Sequence, residues 1–75
     1  MRQHDDWTRK IGLIIKLGRR HTHGVLVEVR EQDTIFGRKV KVILSGPSER
    51  VEQFGKFLLN KGARKCTERE YIFKR

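Results

Sequence analysis

The sequence predicts a small α+β protein in which an antiparallel or mixed sheet of three or four strands is covered on one face by one or two helices. Several segments alternate apolar and polar residues, as strands do, and one segment repeats its apolar residues every three or four positions, as helices do. A chain of 75 residues, 36% of them apolar, can form one small hydrophobic core. We therefore expect a single basic domain over residues 7–75, preceded by a flexible tail at residues 1–6.

Residues 7–17 fit two interpretations. As a strand, alternation places these apolar residues on one face: Ile11, Leu13, Ile15 and Leu17. As a helix, a different set forms a stripe that ends at Gly18: Trp7, Ile11, Ile14 and Ile15. The β-branched residues and Gly12 favour the strand, whereas the start at Asp5 and Asp6 favours the helix. We prefer the strand, which gives the order β-β-β-α-β; the helix gives α-β-β-α-β.

Two further strands are predicted in the middle of the chain. In residues 25–30, the valines at 25, 27 and 29 share one face. In residues 38–44, Val40, Val42 and Leu44 alternate with Lys39, Lys41 and Ile43. A last strand is predicted over residues 64–74, where Tyr71-Ile72-Phe73 strongly favours β-structure.

The clearest helix follows Pro47, a residue suited to the first helical position. Its apolar stripe has helical spacing: Val51, Phe54, Phe57 and Leu58. Asn60-Lys61-Gly62 ends it. Gly55 lies inside the predicted helix, where glycine costs about 1 kcal/mol relative to alanine. We interpret Gly55 as a point where the helix approaches the sheet closely.

The charge balance narrows the classes of function. Lysines and arginines number 18 against nine acidic residues, a net charge of +9. Residues 1–25 and residues 51–75 each carry a net charge of +4, and residues 26–50 carry +1.

Other features of the sequence indicate the compartment. No apolar run has the length of a membrane span, about 18 residues, and no leader resembling a signal peptide is present. With one cysteine, the chain has no internal disulfide framework. We expect a cytoplasmic protein.

Candidates for catalytic or metal chemistry are weak. His21 and His23 form one pair, but a zinc site usually needs a second pair of ligands. Cys66 lies at the start of a predicted strand, where a lone cysteine is usually a small buried hydrophobe. No glycine-rich phosphate loop is present. We expect no cofactor, no metal and no enzymatic activity.

The basic residues indicate a nucleic-acid-binding surface. Arg19 and Arg20 lead into His21 and His23 in a predicted loop between Gly18 and Gly24, and two lysines lie on the polar face of their strand. Phe36 adjoins a basic run, as base stacking requires. We therefore expect contacts with RNA or DNA, mainly with the phosphate backbone. The candidate residues are Arg19, Arg20, His21, His23, Phe36, Lys39, Lys41, Arg64 and Lys65.

The alternative is a protein-interaction or regulatory subunit, with a protein partner or a second copy of the chain bound through an exposed sheet face or edge strand. Ile14, Leu26 and Ile43 lie on nominally polar strand faces and would form an apolar patch if they were adjacent.

The segment from Arg38 to Lys74 resembles the second half of the C-terminal domain of bacterial translation initiation factor three, through its basic alternating strand Gly37-Arg38-Lys39-Val40-Lys41-Val42. The resemblance covers half the chain. The first half departs from that family, which would place a helix where residues 25–29 predict a strand, and no function is transferred.

Overall fold

The computed structural model of the chain describes residues 6–75. Its elements follow in the order α-β-β-α-β-β. They are α1 (Asp6–His21), β1 (Leu26–Thr34), β2 (Gly37–Ser45), α2 (Ser48–Asn60), β3 (Arg64–Thr67) and β4 (Glu70–Lys74). The predicted α+β class, a small sheet of three or four strands with helix on one face, is confirmed. Neither predicted order, β-β-β-α-β or α-β-β-α-β, matches, because residues 7–17 are helical and the last predicted strand is two strands. The predicted tail lies outside the described residues except for Asp6, which begins α1. Within the described part of the chain, no helix is both long enough and apolar enough to cross a membrane.

The sheet is antiparallel throughout, with the strand order β1-β2-β4-β3. Its register assigns alternate residues to two faces. Val40, Val42 and Leu44 of β2 lie on the face that the helices cover, next to Tyr71 and Phe73 of β4. These apolar side chains and both helices form one core, so both helices pack on the same face of the sheet.

Helix α2 confirms the prediction for its segment. Phe54 and Leu58 are fully buried, Val51 is nearly so, and Phe57 is half-buried against the core. Pro47 precedes the helix in an extended conformation instead of occupying its first turn.

Gly55 faces the sheet as predicted. A Cβ atom there would overlap the hydroxyl group of Tyr71. The missing side chain therefore lets α2 lie close to β4.

The preferred strand interpretation of residues 7–17 is wrong, because this segment forms α1. A strand would bury Leu13 and Leu17 beside Ile11, but both leucines are exposed. The buried positions are those of the helical stripe, Ile11, Ile14 and Ile15. Packing of this stripe overrides the modest helix propensity of isoleucine.

Gly18 lies within α1 and is buried, so the predicted loop from Gly18 to Gly24 begins too early. A Cβ atom on Gly18 would lie 2.8 Å from the Phe54 ring. The glycine therefore marks the contact between the two helices, and α1 continues for three more residues, Arg19, Arg20 and His21.

The predicted strand over residues 64–74 is two strands. A turn at residues 68–69 separates β3 from β4, which then pair antiparallel with an irregularity between Lys65 and Thr67. The turn contains neither glycine nor proline, so it lacked the usual sequence signal. β3 consequently forms one edge of the sheet and β1 forms the other.

Candidate nucleic-acid interface

The face of the sheet opposite the helices carries most of the charged side chains of the strands. We call it the open face. Its positions follow from the register: Leu26, Glu28, Arg30, Gln32 and Thr34 of β1; Lys39, Lys41, Ile43 and Ser45 of β2; Glu70, Ile72 and Lys74 of β4; Arg64 and Thr67 of β3. Five of these residues are basic and two are acidic, so the open face has a positive excess.

Both carboxylates of the open face are already paired. Glu28 accepts a hydrogen bond from Arg30 Nε at 2.8 Å. Glu70 lies 3.3 Å from Lys41 Nζ. Among residues 6–75, no carboxylate pairs with the three remaining cations, Lys39, Arg64 and Lys74. The uncompensated charge of the open face therefore belongs to these three side chains.

The β1–β2 turn projects two apolar side chains into solvent. Ile35 is 93% exposed and Phe36 is 90% exposed. Thr34 stabilises the turn: its Oγ1 donates to the Gly37 carbonyl oxygen at 2.8 Å and accepts from the Phe36 N–H at 3.2 Å. An exposed aromatic ring on a hydrogen-bonded turn is accessible for base stacking.

A cavity of about 310 Å³ lies beside this turn. It is lined by Thr34, Phe36, Gly37, Arg38, Lys39, Lys74 and Arg75. Arg38 itself is held by other groups: its Nε donates to Asp33 at 2.9 Å and its Nη1 lies 3.2 Å from the Thr8 hydroxyl group. The first bond joins the start of β2 to the end of β1, and the second joins it to the start of α1. Together they stabilise one wall of the cavity.

Helix α1 forms a second basic surface. Five of its exposed side chains are cationic: Arg9, Lys10, Lys16, Arg19 and Arg20. Asp6 is its only acidic residue. Basic residues in the last turn of a helix interact favourably with the helix dipole. None of the ion pairs within the described chain involves a residue of α1, so its cations have no carboxylate partner there.

The end of α1 is joined to α2 by ring contacts. The His21 ring lies 5.4 Å from the Phe57 ring, and Lys61 Nζ lies 5.6 Å from the centre of the same ring. These contacts bring Lys61 close to the last turn of α1, so the basic surface continues from α1 onto the end of α2.

The structure divides the predicted candidate residues between these two surfaces. Arg19, Arg20 and His21 lie on the last turn of α1, on the helix side of the sheet, and His23 lies in the loop that follows. Lys39 and Lys41 lie on the open face, and Phe36 lies at its end. β1 spans nine residues, roughly 30 Å of extended chain, and connects the two groups. They therefore do not form one continuous patch.

Arg64 and Lys65 are also separated. Arg64 pairs with Ile72 on the open face, whereas Lys65 pairs with Tyr71 and lines a hollow beside Glu52 of α2. The two side chains, which were expected to cluster at the end of α2, therefore lie on opposite sides of β3.

Two basic residues of the open face were missing from the predicted set, Arg30 and Lys74. Lys74 lies directly opposite Lys39 although 35 positions separate them in the chain. Alternation within β2 and β4 indicated that each strand had a polar face, but only strand pairing brings these two faces together.

The apolar residues of the alternative hypothesis are not all adjacent. Ile14 is buried in the core. Leu26, which is 73% exposed, and Ile43 are diagonal neighbours on the open face. Ile72 continues the diagonal on β4. We call Leu26, Ile43 and Ile72 the apolar diagonal. The open face thus combines this diagonal with basic side chains at the end where Lys39 and Lys74 lie.

Cys66 and the histidines were the candidates for nucleophilic and metal chemistry. Cys66 is exposed on β3, so its interpretation as a buried hydrophobe is wrong. Within residues 6–75, no three histidine, cysteine or acidic side chains converge on a point where a metal ion would bind; His4 lies outside this range.

The hydroxyl group of Tyr71 has a displaced pKa. Burial raises the pKa of its hydroxyl group above 10.0, and the charges of Glu68 and Glu52 add to this. The shift belongs to the core beneath α2 and not to either basic surface.

Comparisons with family models, curated proteins and solved structures found no match. The resemblance of residues 38–74 to the initiation-factor domain gains no support from these comparisons.

Proposed function

We propose that this protein is a non-catalytic, cytoplasmic nucleic-acid-binding protein that contacts RNA or DNA mainly through the phosphate backbone. The contacts come from α1 and from the open face of the sheet. On these two surfaces we assign the contacts to Arg19, Arg20, His21, Phe36, Lys39, Lys41 and Arg64. Two further contacts lie outside them: His23 in the loop after α1, and Lys65 on the other side of β3.

The observation that carries the proposal is the excess of cations that lack a carboxylate partner. On α1, five exposed basic side chains accompany one acidic residue. On the open face, both carboxylates are already paired and three cations remain. Clustered cations without partners attract phosphates, and the release of counterions from the nucleic acid favours binding.

Solubility alone is a weaker explanation of this charge. Small domains generally need a net charge of magnitude roughly 2 to 8 to remain soluble. This chain carries +9 on 75 residues. The cations are also concentrated on particular surfaces, whereas the exposed side of α2 mixes Glu49, Arg50, Glu52 and Lys56.

The test is equilibrium binding to labelled RNA and DNA over a series of salt concentrations. We expect log K to fall linearly with log salt, with a slope near −0.9 for each duplex phosphate neutralised. Replacing Arg19 and Arg20 by alanine should reduce the magnitude of this slope by about two if each contacts one phosphate. The loss should be similar for different sequences, because phosphate contacts carry no base information.

A matched control removes the same charge elsewhere. Arg50→Ala with Lys56→Ala takes two cations from the mixed surface of α2, where Lys56 lies 3.8 Å from Glu52. We expect this pair to leave the slope close to that of the wild type. Equal effects of the two double variants would mean that net charge alone acts, and no salt-dependent affinity in the wild type would overturn the proposal.

The alternative is a protein-interaction or regulatory subunit, and the apolar diagonal of the open face favours it. The diagonal begins at Leu26 on β1, continues through Ile43 on β2 and ends at Ile72 on β4, and the outer edge of β1 has no partner strand in the described chain. An apolar strip beside a free edge is suited to strand addition. Sedimentation of the wild type and of Leu26→Ser distinguishes the two: a dimer that dissociates in the variant would support the alternative.

A further inference from the structure

We propose that the cavity beside the β1–β2 turn binds one nucleotide of a single-stranded nucleic acid, with the base stacked on Phe36 and a phosphate between Lys39 and Lys74. This inference rests on the nucleic-acid-binding function proposed above. It adds a class of ligand and a particular surface to that function.

The phosphate position follows from two lysines that face each other. Lys39 and Lys74 are directly opposite on neighbouring antiparallel strands, which places their Cβ atoms about 5 Å apart. Like charges in this arrangement are destabilising. No carboxylate of the described residues lies within ion-pair distance of either ammonium group. A phosphate between the two ammonium groups would replace the repulsion with two charge-assisted hydrogen bonds.

The base position follows from the exposed ring at the same end of the sheet. Phe36 lines the cavity together with Lys39 and Lys74. The hydrogen bonds of Thr34 hold the backbone that carries the ring. An aromatic ring next to cations is the arrangement that sequence-tolerant single-strand binding uses. The cavity, about 310 Å³, is at the lower limit of small-ligand sites, roughly 300 Å³.

The arrangement favours a single strand over a duplex. In a duplex each base is already stacked on its neighbours, so Phe36 has no free base to contact unless the duplex opens. The cavity also distinguishes this site from a membrane-binding tip. Ile35 and Phe36 alone project from the turn, which is a small apolar area for insertion, and a lipid surface would leave the hollow behind them unused.

The test compares a labelled ten-nucleotide single strand, poly-U or poly-dT, with a mixed-sequence duplex. Phe36→Ala should weaken single-strand binding by roughly 5- to 150-fold, the effect of one stacked base, and leave the salt slope nearly unchanged. Duplex binding should be little affected. Lys39→Gln with Lys74→Gln should instead reduce the magnitude of the single-strand salt slope by about 0.7, the value for one phosphate.

Each variant has a matched control. Ile35→Ala removes the neighbouring exposed side chain, which has no π-face, and should leave affinity unchanged. Arg50→Gln with Lys56→Gln removes two charges from α2 and should leave the slope unchanged. Lys39→Gln with Lys74→Gln should not lower the thermal midpoint, because it relieves a repulsion. With the thermal midpoint measured and not lowered, a loss of affinity in that variant is not due to unfolding.

Fluorescence gives an independent measurement. In Phe36→Trp, addition of the single strand should quench the tryptophan emission because a base stacks on the indole, and addition of the duplex should not. The wild-type protein, whose single tryptophan is Trp7, is the control.

The failure of this inference differs from the failure of the proposed function. The first case is binding that depends on salt and is weakened by Arg19→Ala with Arg20→Ala, but is unchanged in the Phe36 and lysine variants. That result would overturn the inference and keep the proposed function. Absence of any nucleic-acid binding would overturn both. Binding to vesicles of anionic phospholipid that is lost in Phe36→Ala, without nucleic-acid binding, would assign the turn to a membrane surface instead.

Discussion

The two faces of the sheet use neighbouring residues of the same strand for different purposes. On β2, Val40, Val42 and Leu44 are at most 1% exposed and pack against α1, α2 and β4. Lys39 and Lys41, one position away, lie on the open face. Nearly all the apolar burial is therefore on one face, and the other face includes a pair of opposed lysines that weakens the fold. We infer that the helix-covered face stabilises the protein and that the open face is available for binding.

The largest expected effect concerns the helix-covered face. Phe54→Ala or Leu58→Ala should lower the free energy of unfolding by roughly 2 to 5 kcal/mol, because each leaves a cavity in the core. Leu59→Ala is the matched control, since Leu59 is 41% exposed on the same helix, and its cost should be well below that of either buried site. Urea denaturation measures all three. Changes below about 0.5 kcal/mol at both buried positions would show that the helix stripe does not pack as described.

Two glycines of α1 sharpen the comparison within a single helix. Gly18→Ala should destabilise by roughly 1 to 3 kcal/mol, because its Cβ would press on a buried ring. Gly12→Ala should instead stabilise by up to about 1 kcal/mol, since nothing lies within 4 Å of that position. Thermal unfolding of the two variants gives the sign directly. The same sign for both would contradict the packing of α1 on α2.

A smaller contrast is expected between two lysines of the open face. Lys41→Ala removes a partly exposed ion pair with Glu70 and should cost up to about 1 kcal/mol. Lys39→Ala removes the repulsion with Lys74 and should be neutral or gain a few tenths of a kcal/mol, about the size of a cross-strand pair energy. Denaturation at low and high salt should show the difference shrinking as salt rises. A stability loss at Lys39 equal to that at Lys41 would contradict the unpaired state of Lys39.

The smallest effect is a loss of stability confined to alkaline pH, and it concerns the Tyr71 hydroxyl group. Its pKa in the folded protein is raised above 10.0 by burial and then by Glu68 and Glu52. The unfolded chain therefore loses this proton first as pH rises. The stability contribution is complete below pH 10.0 and declines as pH increases through the folded-state pKa.

Tyr71→Phe should reduce this alkaline loss of stability. Because the chain has one tyrosine, the ultraviolet absorbance of tyrosinate reports Tyr71 alone, with a higher midpoint in the native state than in denaturant. Coincident midpoints would show that the hydroxyl group is not buried.

The local sequence determined α2 and the alternation of β2. In α2 the apolar residues repeat every three or four positions, and in β2 they repeat every two. The residues that these spacings predict to be buried, such as Phe54, Leu58 and Val42, are buried. In α1, Ile11 and Ile15 fit both the strand and the helix spacing, so packing of the helix against Phe54, which Gly18 allows, decided for the helix.

The candidate site depended on tertiary structure to a greater degree. The sequence by itself determined that the surface is basic and that Phe36 adjoins cations. It did not determine which cations meet, because strand order and register join residues far apart in the chain. Pairing of β2 with β4 placed Lys74 opposite Lys39, and packing of both helices on one face left Arg19 and Arg20 on the other side of the sheet.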